Sequence, residues 1–213
     1  MNSLASVTMK AIAPTLKTYP IVETFHSLQG EGKWTGMSAF FIRLAGCDVY
    51  CPWCDQKESW TSKTYPQQSV KMLAEAAKRV NPGMVVITGG EPLMHDLFPL
   101  TKELRELELR VHLETSGVYP FSGQFDWVTF SPKPFKVPHE SIYSQVNELK
   151  VVIADQEDLN WAEEQAKKVD PEAIKYLQPE WNSPQTQQLI LDYILLHPQW
   201  RMSLQIHKFL GVR

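Results

Sequence analysis

The chain has 213 residues, 43% of them hydrophobic and 21% charged, with a formal net charge of −3. That length and balance suit one globular domain with a substantial core, and the weakly acidic balance gives no global electrostatic basis for binding nucleic acid. No apolar run approaches a membrane span, so neither a membrane nor a secretory role is expected and the cytoplasm is the expected location.

Residues 1–20 carry no acidic side chain, only Lys10 and Lys17 as charges, and are broken by Pro14. They read as a flexible N-terminal arm, leaving residues 21–213 as a single domain. The stretch from Ile21 to Thr35 contains Gly30-Glu31-Gly32 and is expected to form a turn whose backbone can approach a ligand closely. Ala39 to Leu44 is a buried strand interrupted by Arg43, which needs either a rim carboxylate or a ligand carboxylate as partner.

That strand leads into Gly46 to Asp55, which holds all three cysteines, Cys47, Cys51 and Cys54, spaced C-x3-C-x2-C. Three thiols on one short loop can converge on zinc or on an iron–sulfur cluster. The loop supplies no histidine as a fourth ligand, and His26 lies on its far side. An odd cysteine count in a chain of this size argues against a disulfide framework.

Ser69 caps a helix with Val70, Leu73, Ala74, Ala77 and Val80 on its apolar face, and Asn81-Pro82-Gly83 stops it. Met84 to Ile87 is an apolar strand running into Thr88-Gly89-Gly90-Glu91-Pro92. Asp96 is placed to cap a second helix along Leu97, Leu100, Leu104 and Leu107. Strands follow at 110–114, 127–130 and 148–153, then a helix over 157–169, a strand at 174–177, a helix from Ser183-Pro184 to Leu196, and a last strand over 201–206. Polar segments gather after the strands: Ser131-Pro132-Lys133, Gln178-Pro179-Glu180-Trp181 and His207-Lys208. About seven strands with three or four helices fall short of an eight-fold barrel. The expected fold is α/β: a partial, shortened (β/α) barrel with a curved, mostly parallel sheet and its ligand site at the strand C-termini. His95, His112, His139 and His197 read as structural, whereas His207 is the histidine placed to face the site.

The cysteine spacing, with aromatic Trp53 before the third cysteine and with Gly89-Gly90-Glu91-Pro92, resembles the radical S-adenosylmethionine (SAM) superfamily. Further blocks, Leu28-Gln29-Gly30-Glu31-Gly32, Phe41 to Cys47, Glu114-Thr115-Ser116-Gly117, Ser131-Pro132-Lys133 and Gln205-Ile206-His207-Lys208, resemble the 7-carboxy-7-deazaguanine synthase family. That resemblance implies radical chemistry on a pterin, 6-carboxy-5,6,7,8-tetrahydropterin, in a radical-SAM barrel, with a 4Fe–4S cluster, SAM and Mg2+ as cofactors. It implies a cluster on Cys47, Cys51 and Cys54, and a SAM site of Trp53, Cys54, Asp55, Gly90, Ser131, Pro132, Lys133, Gln178, Pro179, Glu180 and Trp181. In the superfamily the acid of Gly-Gly-Glu-Pro also helps hold the SAM amino group. The pterin would meet Leu28, Gln29, Gly30, Arg43 and Thr88, and a homodimer served by an electron donor such as flavodoxin is implied. One position departs: the family follows its motif with Asp-Thr and uses the threonine at Mg2+, where this chain has Asp55-Gln56. Two other readings stand beside this one, a glycyl-radical activating enzyme and a non-enzymatic zinc or iron–sulfur binding module.

Overall fold

The structure is a computed structural model that describes residues 17–213. Nine strands form one open sheet in the order β3-β1-β2-β4-β5-β6-β7-β8-β9. The strands are β1 (Thr18–Leu28), β2 (Ser38–Leu44), β3 (Gln67–Ser69), β4 (Met84–Gly89), β5 (Val111–Thr115), β6 (Trp127–Phe130), β7 (Glu148–Ile153), β8 (Ile174–Pro179) and β9 (Trp200–Met202). From β2 through β9 neighbouring strands are parallel, while β1 runs antiparallel to both β2 and β3. The helices are α1 (Val70–Val80), α2 (Phe98–Glu106), α3 (Glu157–Ala166), α4 (Gln185–Leu196) and the short α5 (Ile206–Leu210). No α-helix covers the crossings from β5 to β6 and from β6 to β7, so helical cover is reduced as expected.

Period-two alternation along the strands sorts side chains onto two faces. Phe40, Ile42 and Leu44 of β2, Val85 and Ile87 of β4, and Leu149, Val151 and Ile153 of β7 join the main core, which also takes in buried residues of α1 to α4. The intervening positions face the other way. At one end of that second face, Ala39, Phe41, Met84 and Val86 form a small apolar plug with Phe25, Trp34 and Met37. Toward the strand C-termini the same rows turn polar, through Arg43, Thr88, Glu114, Lys150 and Gln178.

Ser69 caps α1 as expected, accepting a hydrogen bond from the Met72 N–H, and Asn81 ends the helix in the left-handed region at φ 46°. Asp96 accepts from the Phe98 N–H at 3.1 Å at the start of α2.

Three expectations are corrected. The N-terminal arm does not extend to residue 20: β1 begins at Thr18, Tyr19 is fully buried, and its hydroxyl donates to the Asp96 carbonyl at 2.6 Å. Residues 1–16 lie outside the described residues. The stretch from Ile21 to Leu28 is strand, not turn; the turn begins only at Gln29, whose N–H and C=O bond the Met37 carbonyl and the Gly36 N–H. Beyond Ile21, β1 is half-buried because that part borders a cavity, so its pattern lacks the apolar regularity of a core strand. The last strand stops at Met202, and the chain turns into α5 at Ile206, whose N–H donates to the Gly30 carbonyl.

Candidate active site

The cysteine loop leaves β2 and is fixed on three sides. Its backbone is tied to the following segment by Gly46 N–H to Ser59 C=O at 2.7 Å and Cys47 N–H to Trp60 C=O at 3.1 Å. The Asp48 carboxylate accepts from the Tyr119 hydroxyl and pairs with Lys136 at 2.6 Å. A third anchor is the β4 turn, where Gly90 and Glu91 N–H groups donate to the Leu44 and Gly46 carbonyls at 2.9 and 2.8 Å. The two glycines are required by that contact. A Cβ on Gly89, which sits at φ +137°, would lie 2.2 Å from the Leu44 carbonyl oxygen, and one on Gly90 would lie 2.2 Å from that of Gly46.

The Glu91 acid is otherwise engaged than expected. Its carboxylate is buried and accepts from the Leu93 N–H, the Thr115 hydroxyl, and both the N–H and the hydroxyl of Ser116. Four protein donors saturate its oxygens, so it clamps the β4 and β5 turns together and leaves backbone at Gly90 to face a ligand.

These turns surround one cavity of about 720 Å³ above the polar end of the second sheet face. All the expected site residues line it except Pro132, which is buried between Ser131 and Lys133. Cys47, Cys51 and Cys54 are unpaired and partly buried, and burial pushes the Cys47 and Cys51 thiols up. Lys133 sits beside them; burial lowers it and the Cys51 sulfur pulls it back up, while its ammonium donates to the Ser131 carbonyl and hydroxyl at 2.7 Å each. Among the described residues no three His, Cys, Asp or Glu side chains are grouped to hold a single metal ion. Three free thiols on one loop, facing a cavity that can bring a further ligand, suit a cluster with an open position.

Opposite the cysteines, Arg43 is oriented by Glu23, which accepts from its Nε at 2.9 Å. Its two terminal nitrogens make no protein hydrogen bond among the described residues, which leaves the fork open toward the cavity. Gln29 donates from Nε2 to Glu114 at 2.9 Å and accepts the Glu31 N–H at 3.2 Å. Glu31 is bonded by Lys150 and by Gln205. Burial alone would raise the Glu31 carboxyl, but Lys150 and Gln205 hold it down at about 2. The C-terminal segment closes this side: Lys208 pairs with Asp55 at 2.9 Å, and the His207 ring packs against Gly30 so closely that a Cβ there would lie 2.1 Å from its Nδ1.

Sequence reasoning missed Glu31, Glu114, Lys150 and Gln205 as cavity residues. The available signal was a charge on the polar row of otherwise apolar strands, at Glu114 in β5 and Lys150 in β7. The histidines fall as expected. His207 lines the cavity, while His95 Nε2 lies 2.9 Å from the Ala45 carbonyl, His112 is buried in the sheet, His139 caps a turn and His197 stacks on Tyr193.

Comparison with known proteins places the chain in a family. Residues 41–128 match the Radical SAM superfamily. A 7-carboxy-7-deazaguanine synthase from Synechocystis sp. is 60% identical over 92% of this chain and 94% of its own length. This chain belongs to the 7-carboxy-7-deazaguanine synthase family. The Escherichia coli K12 7-carboxy-7-deazaguanine synthase is 34% identical over 91% of this chain and 99% of its own. The fold agrees too: a crystal structure of QueE from Escherichia coli aligns with a TM-score of 0.80 at 33% identity, covering 89% of this chain and 95% of that one. Membership implies a 4Fe–4S cluster and SAM, and decides against a glycyl-radical activating enzyme and a non-enzymatic binding module.

Proposed function

We propose that this chain is a carbon–nitrogen lyase that converts 6-carboxy-5,6,7,8-tetrahydropterin to 7-carboxy-7-deazaguanine with loss of ammonia, serving queuosine and related 7-deazapurine synthesis. The observation that carries this reading is the single cavity. It puts three free thiols, the Gly90 backbone, an oriented arginine fork and a fixed amide within one space large enough for SAM and a bicyclic substrate.

Cys47, Cys51 and Cys54 would hold the cluster. Trp53, Asp55, Gly90, Ser131, Lys133 and the run Gln178-Pro179-Glu180-Trp181 would contact SAM, with Pro132 shaping the turn between Ser131 and Lys133. When bound and reduced, the cluster and SAM supply radical initiation at the pterin. The protein's own part is to bind, orient and keep water out. Arg43 is suited to the substrate carboxylate, since Glu23 fixes its Nε side and leaves a planar pair of donors. Gln29, Thr88 and the backbone at Gly30 offer the alternating donors and acceptors that a pterin edge requires, and Leu28 adds an apolar wall.

Magnesium, implied by the family, does not fit these residues well. Hard Mg2+ is held through carboxylates and substrate oxygens. Here Gln56 carries its amide oxygen further from the backbone than the family's threonine hydroxyl would lie, and the neighbouring Asp55 is paired with Lys208.

The cluster needs a one-electron donor, and flavodoxin is the partner we expect. A homodimer is the expected assembly, consistent with Leu195 and Leu196 standing exposed on α4. No helix among the described residues is long and apolar enough to cross a membrane; a cytoplasmic site of action is part of the proposal. Anaerobic reconstitution followed by turnover of carboxytetrahydropterin tests the reading.

A further inference from the structure

Ser203 follows β9, is 3% exposed and lines no part of the cavity. Its backbone N–H donates to the Leu177 carbonyl at 2.9 Å, which fixes it against β8. Its hydroxyl makes two bonds: Oγ accepts the Gly32 N–H at 3.1 Å and donates to Gln178 Oε1 at 2.9 Å. Gln178 is 4% exposed and lines the cavity from β8. Its Nε2 bonds no protein atom among the described residues and is not sealed from solvent, so this end of the amide opens to the cavity.

An amide can turn over and exchange its donor and acceptor. One face is favoured here because of what Ser203 has left to give. A backbone N–H only donates, so Gly32 occupies one Oγ lone pair. The Ser203 proton then has Gln178 Oε1 as its one acceptor among the described residues. Turned over, the Gln178 amide would donate to the second Oγ lone pair and leave the Ser203 proton buried with no acceptor, which is the costly arrangement. Every group in this relay is neutral, so its direction does not depend on pH.

We propose that Ser203 is a positioning residue for the reaction: through the Gly32–Ser203–Gln178 relay it holds the Gln178 amide with Nε2 toward the cavity, as a fixed donor for an acceptor atom of SAM. The inference deepens the functional reading above and rests on its placement of Gln178 at SAM.

The test is equilibrium binding of SAM to anaerobically reconstituted holoenzyme without reductant, so that SAM stays intact, with iron content measured beside it. Ser203→Ala frees the amide to swing into the wet cavity, and binding SAM then leaves Oε1 buried without a donor. The Kd for SAM rises about 10-fold, the scale of one buried acceptor left unpaired, at unchanged iron content. Gln178→Met removes the donor and raises the Kd about as much. In the Gln178→Met background Ser203→Ala adds less than about 2-fold, because the hydroxyl acts through that amide. A merely structural loss at Ser203 would instead multiply with the loss at Gln178. Where Ser203→Ala does not hold the cluster, Ser203→Cys, with its weaker donor, is carried through the same cycle. An unchanged SAM affinity in the Ser203 variant, or losses that multiply to about 100-fold in the double variant, overturns the inference. A wild type that binds no SAM overturns the functional reading and the inference together. A wild type that binds SAM, with full affinity kept in Gln178→Met, overturns the placement of Gln178 and this inference alone.

Discussion

Gln56 stands where the family resemblance implies a threonine at Mg2+. Its amide oxygen reaches further from the backbone than a threonine hydroxyl, and the Asp55 carboxylate beside it is already paired with Lys208. Turnover of the wild-type enzyme should therefore change little, within about 2-fold, between chelator and millimolar Mg2+, because Mg2+ demands near-ideal octahedral geometry that a displaced oxygen does not meet. Gln56→Thr should acquire a clear Mg2+ dependence in the same assay. An unchanged response in Gln56→Thr would mean that the ion is held elsewhere or takes no part. The cysteines were legible from the sequence because cluster chemistry demands three thiols on one loop, whatever the rest of the chain does. Lys150 was not, because its partner Glu31 lies 119 residues away and only the fold brings them together. Glu91 was legible as a motif residue, but its clamp between two turns was not. A buried carboxylate takes whatever donors surround it, and here Thr115 and Ser116 of a neighbouring strand end supply them.

The elements that matter most to the site are the ends of β2 and β4 and the opening of β1. Gly90 lets the β4 turn lie directly on the Gly46 carbonyl. Gly90→Ala must separate those two backbones, at a cost of roughly 1–3 kcal/mol for an over-packed contact. Because the displaced partner is the cysteine loop, the variant should also hold less iron after reconstitution, measurable by iron analysis beside a denaturation curve. The start of β1 makes a different claim. Tyr19→Phe should lose about 1 kcal/mol, for the hydrogen bond to the Asp96 carbonyl alone. Tyr19→Ala should lose roughly 3–5 kcal/mol for a buried aromatic side chain. Equal stability of Tyr19→Ala and wild type in urea would return residues 18–20 to the arm. That strand start was hard to read because Pro20 and the lack of a long apolar run resemble a linker, whereas Tyr19 and Ile21 pack into the core and the backbone pairs with β3.

At the scale of the whole molecule, seven parallel strands with five helices place every strand C-terminus on one rim, and the antiparallel β1 and the terminal α5 fold back to complete the wall. The parallel strands β2 and β4 to β8 were legible from apolar runs ending in polar or glycine-rich turns, because a strand buried in a parallel sheet leaves that signature. The last turn of the chain was not. Ile206, Phe209 and Leu210 continue an apolar run that suits a strand, but no strand beyond β9 pairs with them, and the segment coils to place His207 and Lys208 over the cavity. The central claim is that this cavity carries out a radical ring contraction on a carboxylated pterin. Its most direct measurement is anaerobic incubation of the reconstituted protein with SAM, reductant and 6-carboxy-5,6,7,8-tetrahydropterin, with product followed by chromatography and mass spectrometry. The expected products are 7-carboxy-7-deazaguanine and ammonia in equal amounts, with SAM not consumed in proportion. A brown, cluster-loaded protein that cleaves SAM yet leaves the pterin unchanged would contradict it.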